Sequence, residues 1–139
     1  MILADTGFFV ALTIKSDRHH PAAVTALGRY QSEGLVTTWP VLTETIHLLQ
    51  REAGPAVARK LLIGIDSGAA RIFDLTAAHL PRVLELMEKY HGLPMDLADA
   101  SLVVCAEVTG DGRILSTDAR DFGAYRWKRR KPFSNLLKV

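Results

Sequence analysis

The chain has 139 residues, 48% of them hydrophobic and 23% charged, with a net charge of +2. Such a length suits one domain over residues 1–139 with a usable core, and the composition is that of a globular protein. No apolar run approaches the roughly 20 residues of a membrane span, and the apolar start lacks a basic lead and is broken by Asp5, which argues against a secretory signal. The single cysteine, Cys105, allows no intrachain disulfide and points to a reducing cytoplasm.

In chain order, Met1–Ala4 reads as a short buried strand and Asp5-Thr6-Gly7 as the turn into a helix carrying Phe8, Phe9, Ala11 and Leu12. Pro21 suits the first turn of a second helix with the stripe Ala23, Val24, Leu27 and Tyr30, ended by Gly34. Leu35–Trp39 reads as the second strand. Val41–Arg51 has helical spacing at Leu42, Thr45, Ile46 and Leu49, and after Gly54-Pro55 another helix carries Val57, Leu61, Leu62 and Ile65. Arg71–Leu75 is a third strand. Thr76 is a good N-cap for a helix with Leu80, Val83, Leu84, Met87 and His91 on one face. Asp96–Val108 is the most apolar helix and holds Cys105 as a core residue. Asp111-Gly112 reads as turn chemistry only, Arg113–Thr117 as a strand, and a last short strand falls within Arg126–Leu137.

Strands alternating with helices predict βαβ units: an α/β fold with a mainly parallel sheet covered on both faces. Ligands of such sheets sit outside the carboxyl ends of the strands. Asp5 and Asp118 fall at two of those ends, Glu44 near the start of the helix after a third, and Asp99 in the first turn of a helix. Carboxylates beside apolar runs cost free energy unless paired. Four of them without matching lysines point to a divalent cation, and all-oxygen donors suit Mg²⁺ or Mn²⁺, the usual ions of phosphate chemistry.

Each acid also has a local explanation. Asp5 or Thr6 can cap the helix near Gly7, and Asp118 can cap Ala119–Phe122. Asp96 and Asp99 are spaced as N-cap and N3, so they can exchange roles or share one ion. Glu44 can be a solvated helix residue, and Asp121 lies either at the site's edge or in a surface turn. His19-His20 has no partner at metal-ligand spacing and reads as a loop before Pro21. His47 lies one turn from Glu44.

These residues resemble the PIN domain family, specifically VapC-type toxin ribonucleases of VapBC toxin–antitoxin pairs. Met1-Ile2-Leu3-Ala4-Asp5-Thr6 resembles the family's opening strand and first acid. Glu44, in Val41-Leu42-Thr43-Glu44-Thr45-Ile46-His47, matches the second acid. Asp99-Ala100-Ser101-Leu102-Val103-Val104 and Ile114-Leu115-Ser116-Thr117-Asp118-Ala119-Arg120-Asp121-Phe122 resemble the third and fourth acidic segments. Asp96 competes with Asp99, and Asp121 with Asp118, for those last two positions. The resemblance implies a three-layer α/β/α sandwich and a Mg²⁺- or Mn²⁺-dependent endoribonuclease. It also implies a homodimer and inhibition by a cognate antitoxin protein.

In that scheme Asp5, Asp99 and Asp118 ligate the ion, and Glu44 acts through water or orients the nucleophile. Thr6 and Thr117 hydrogen-bond to the ligating carboxylates. Arg126, Lys128, Arg129, Arg130 and Lys131 form the densest basic stretch, suited to RNA phosphates, with Tyr125 and Trp127 for stacking. The same stretch also reads as a solvated edge strand guarded by charge. Other readings are a PIN nuclease of RNA processing or quality control, and a PIN-like module that only binds RNA or protein. Asp5-Thr6-Gly7 is also the aspartic-protease tripeptide, but the helical content argues against that β-rich class. An aspartyl phosphoacceptor at Asp5 would want a second acid two residues on, which Gly7 is not.

Overall fold

The computed structural model of the protein describes residues 1–138. Its strands are β1 (Ile2–Ala4), β2 (Leu35–Thr38), β3 (Arg71–Phe73), β4 (Arg113–Leu115), β5 (Arg126–Trp127), β6 (Lys131–Pro132) and β7 (Ser134–Asn135). Five of them form a parallel sheet in the order β3-β2-β1-β4-β7, and β5 and β6 form a separate antiparallel hairpin. β1 is central: Leu3 pairs with Val36 on one side and Ile114 on the other. Ile2, Leu3 and Ala4 are all fully buried, as expected of a strand covered on both faces.

The helices are α1 (Thr6–Thr13), α2 (His20–Tyr30), α3 (Trp39–Ala53), α4 (Pro55–Asp66), α5 (Leu80–Lys89), α6 (Leu97–Thr109) and α7 (Ala119–Ala124). They flank the sheet in the predicted three-layer α/β/α arrangement. α1 packs on α2 and α3, α3 on α4, and α5 on α6. Of the residues of α6, Ala100 through Ala106 are all buried, with Cys105 among them. Burial in that apolar helix pushes the Cys105 thiol up to about 12, so it is an inert core residue.

Several elements stop earlier than their apolar runs suggest, because a polar side chain caps the next turn. β2 ends at Thr38, whose Oγ1 accepts from Val41 N at 3.3 Å and starts α3, leaving Trp39 outside the sheet. β4 ends at Leu115, where Ser116 begins the turn. Thr76 caps a short 3₁₀ turn at Ala77–His79 rather than α5 itself, and the His79 ring accepts from Thr76 N at 2.9 Å.

Three expected apolar stripes are displaced. In α2 the buried positions are Ala23 and Ala26, and Val24 is exposed. In α4 Leu62 is exposed. In α5 the buried set is Val83 and Leu86, followed by Tyr90, so Leu80, Leu84 and Met87 face outward. Two apolar stripes share that helix, and only the one meeting α6 is covered.

The C-terminal region holds two pieces where one strand was expected. The β5–β6 hairpin turns through Lys128 and Arg129, both with left-handed φ (46° and 68°). Glu107 fixes this turn by accepting from Lys128 N, while Arg82 binds the same carboxylate through two 2.9 Å hydrogen bonds. The chain then returns as β7 beside β4. Gly112 has no room for a side chain, since a Cβ there would overlap the Trp127 indole. Asp111 does more than turn the chain. It binds Arg113 and the Met1 amine, and Arg113 continues to Glu33. The Arg113 guanidinium holds the Asp111 carboxyl down at about 2.

Candidate active site

β1 has β2 on one side and β4 on the other, so the connections leaving β1 and β4 diverge at their carboxyl ends. An open parallel sheet forms its ligand crevice at such a switch point. Asp5 follows β1, the Ser116–Asp118 turn follows β4, and α3 and α6 bring Glu44 and Asp99 to the same edge. Gly7 permits the approach, because a Cβ there would overlap the Thr117 hydroxyl.

Asp5 is the N-cap of α1 and only 6% exposed. Its Oδ1 accepts from Thr6 N at 2.7 Å and its Oδ2 from the Ser116 hydroxyl at 2.9 Å. Ser116 Oγ in turn accepts from Asp118 N at 2.9 Å, linking two acids through one hydroxyl. Asp99 is half-buried and accepts from the Tyr125 hydroxyl at 3.1 Å. Asp96 is the exposed N-cap of α6, accepting from Asp99 N at 2.8 Å in a capping box. Asp118 caps α7 and accepts from Asp121 N at 3.1 Å. Asp121 pairs with the outward-reaching Arg120. Behind the acids, Thr38 Oγ1 meets Ser101 Oγ at 2.6 Å and ties the start of α3 to the start of α6.

The electrostatics bind these residues into one group. Burial pushes Asp5 up to about 6, helped by the charges of Glu44 and Asp118 and opposed by the Thr6 and Ser116 hydrogen bonds. Burial pushes Asp99 up to about 7, with Asp96 and Asp5 adding repulsion and Tyr125 opposing it. Glu44 is raised by burial and by Asp96, and Asp118 by burial and by Asp121. The Thr6 hydroxyl draws Glu44 part of the way back without reaching hydrogen-bond geometry. Its Oγ1 is the buried side-chain polar atom left unpartnered among the described residues.

Each carboxylate is thus pushed toward its neutral form, by desolvation first and by a neighbouring acid second, and no arginine or lysine forms an ion pair with Asp5, Glu44 or Asp99 among the described residues. A hard cation would relieve all of them, and the donors are oxygen throughout, so the residues fit Mg²⁺ or Mn²⁺. As placed, no three acid, imidazole or thiolate groups among the described residues converge on one ion. The acids share a field before they share a ligand position.

Sequence reasoning missed Ser116 and gave Tyr125 a stacking role in place of its hydrogen bond to Asp99. Ser116 lies inside the last acidic segment and Tyr125 just before the basic stretch, but a hydroxyl's partner is visible only once β1, β4 and α6 are side by side. Ser116, not Thr117, donates to Asp5. Tyr125 is fully buried between Tyr90 and Phe122, edge-on to both, and so is not open to a stacking base. Trp127 is 8% exposed, bonds Pro132 O through its indole N–H, and is covered by Lys128 and Lys131. It is not a stacking platform either.

The basic stretch does not flank the acids. The Lys128–Glu107 contact pins its turn eight residues along α6 from Asp99, about 12 Å at the helical rise. Lys128, Arg129, Arg130 and Lys131 are exposed there, with Arg129 near Glu85 at 3.6 Å. The Arg126 Nη1 donates to the carbonyls of Gly123, Ala124 and Tyr125 and closes α7. Arg120, which the sequence reading passed over, pairs with Asp121 and is the cation that acts on Asp118. His20 bonds Ala11 O at the start of α2, and Arg18 donates to His19, far from the acids along α1.

Among the described residues no helix is long and apolar enough to cross a membrane. The chain is 26% identical over 125 residues to Ribonuclease VapC26 of Mycobacterium tuberculosis (strain ATCC 25618 / H37Rv), covering 90% of this chain and 92% of that protein. Its fold matches the crystal structure of Mycobacterium tuberculosis VapC20, a Sarcin-Ricin loop cleaving toxin. The TM-score is 0.75 at 23% identity, covering 86% of this chain and 92% of that one. The PIN domain pattern matches residues 2–128, nearly the whole chain, and the protein belongs to the PIN domain family.

Proposed function

We propose that this protein is a divalent-metal-dependent endoribonuclease, the toxin of a toxin–antitoxin pair. The observation that carries the reading is the cluster of Asp5, Glu44, Asp99 and Asp118 at the switch point of the sheet, built around the buried Asp5 and with every carboxyl raised by desolvation and by neighbouring acids. The 26% identical ribonuclease, aligned over nine-tenths of the chain, supports the activity and the toxin role.

Asp5, Asp99 and Asp118 would hold Mg²⁺ or Mn²⁺, with Glu44 reaching it directly or through water. Asp96 caps α6 and Asp121 lies in the first turn of α7, one step out, where they tune Glu44 and Asp118. When bound, the ion supplies a water of lowered pKa and stabilises the leaving oxygen of the phosphodiester. Ser116 and Thr6 N fix both Asp5 oxygens, and Tyr125 fixes Asp99, so the site stays organised without the ion. Glu44, longer and half-exposed, can orient the attacking water or take its proton. Thr6 and Thr117 complete the polar edge, Thr6 by facing Glu44.

The substrate is RNA. Arg120 meets the phosphates beside the acids. Lys128, Arg129, Arg130 and Lys131 meet phosphates farther along the strand, with Arg126 holding their hairpin in place. A cognate antitoxin, a homodimeric assembly and a cytoplasmic setting complete the reading. Metal-dependent cutting of a structured RNA pool tests it. Cleavage should require Mg²⁺ or Mn²⁺ and vanish in Asp99→Asn, and cleavage surviving chelation would refute it.

A further inference from the structure

α3 begins with a large aromatic that its own core does not use. Trp39 is 55% exposed and stands at the mouth of a cleft of about 680 Å³. The cleft is lined by the apolar side chains of Trp39, Leu75 and Leu97 and by His47, Glu44 and Asp96. Two of its lining groups are therefore the acids of the site just described. A molecule seated on Trp39 would therefore lie against the acidic site.

We propose that this cleft is a nucleobase subsite, in which the base of an unpaired nucleotide next to the scissile phosphate stacks on the Trp39 indole. The inference rests on the ribonuclease reading. An aromatic face next to aliphatic walls suits a flat, apolar ring, and unpaired RNA is recognised by stacking splayed bases on aromatic side chains. The cleft lies within the volume range of small-ligand sites, roughly 300–1,000 Å³. Tyr125 and Trp127 are buried, so Trp39 is the exposed tryptophan, beside the acids, left to stack on RNA. His47 is exposed and makes no hydrogen bond among the described residues, which leaves its ring nitrogens free for a base edge.

The test is a titration with a single-stranded oligoribonucleotide in an Asp99→Asn background that leaves the RNA intact. The chain has two tryptophans, and Trp127 is shielded, so stacking should quench the Trp39 share of the emission. Trp39→Ala should weaken binding by between about 5- and 150-fold, and Trp39→Phe should restore most of it. An oligonucleotide abasic at the cleavage position should bind wild type and Trp39→Ala alike. Equal affinity of Trp39→Ala and its parent for the intact RNA would overturn the subsite while leaving the nuclease reading in place. Failure of wild type both to bind and to cut RNA would overturn that reading, and the subsite with it. If Trp39→Ala instead converts a dimer to a monomer by sedimentation, with RNA affinity unchanged, the face is an interface between copies and the proposal fails.

Discussion

Replacing Asp5 by asparagine should stabilise the metal-free protein while destroying its activity. Asp5 is the buried N-cap of α1, and asparagine caps as well as aspartate. The amide oxygen of the D5N side chain can keep the Thr6 N–H, and its NH₂ can donate to the Ser116 hydroxyl that now donates to Asp5. What changes is the charge. Burial has raised this carboxyl from 3.8 to about 6, so ionising it in the folded state costs about 3 kcal/mol more than in the unfolded chain. Because the folded pKa is the higher one, the native state binds the extra proton. The cost is absent below about pH 4, grows as pH rises through 6, and is complete by pH 8. At pH 8 with chelator, D5N should melt up to roughly 10 °C above wild type, for a domain of this size. At pH 4 the two should converge. Mg²⁺ at about a hundred times its dissociation constant should raise wild type by about 2.7 kcal/mol and close the gap from below. Scanning calorimetry at pH 4, 6 and 8, with and without Mg²⁺, reads all of this. A D5N protein that melts below wild type at pH 8 without metal would show that Asp5 is stabilising as an anion, and the electrostatic argument would be wrong.

Other outcomes follow from single contacts. Tyr125→Phe removes the 3.1 Å hydrogen bond that favours ionised Asp99. Its Mn²⁺ affinity should fall several-fold at pH 7, and the acidic limb of its rate profile should move to higher pH, whereas an unmoved limb would mean the contact is only structural. Gly7→Ala forces a methyl onto the Thr117 hydroxyl and should cost about 1–3 kcal/mol. Denaturant melts should show Thr117→Ala recovering much of that loss, as coupled neighbours do. Replacing Arg129 and Arg130 together by alanine should weaken RNA binding and flatten its dependence on log salt by about 0.7 per lost phosphate contact. An unchanged slope would leave those residues as a charged hairpin tip and nothing more.

Much of this architecture is legible before any coordinates. Short apolar runs ending in Asp5 and Asp118, separated by helical spacing, are enough to place two acids at one edge of a parallel sheet. Asp96 and Asp99 are harder, because capping and metal binding ask for the same residue types at the same spacing. The structure separates them by surroundings: Asp99 faces Asp5 and Tyr125, while Asp96 faces Glu44. The stripe Leu80-Leu84-Met87 misleads because periodicity records that a helix has an apolar face, not which of two faces meets the core. Tyr125 and Ser116 carry no local signal, since their roles depend on contacts 26 and 111 residues away in sequence. The basic run misleads by position. Its charge is plain in the sequence, but the Glu107 anchor that carries it down α6, away from the acids, is a tertiary contact.

The most direct test of the central claim is cleavage of a labelled, structured RNA pool by wild type and Asp99→Asn, each with Mg²⁺ or Mn²⁺ and each with chelator. Wild type should cut only with metal, and Asp99→Asn should not cut under any of these conditions. Cutting by both proteins in the presence of chelator, or full activity in the variant, would contradict a metal-dependent nuclease built on these carboxylates.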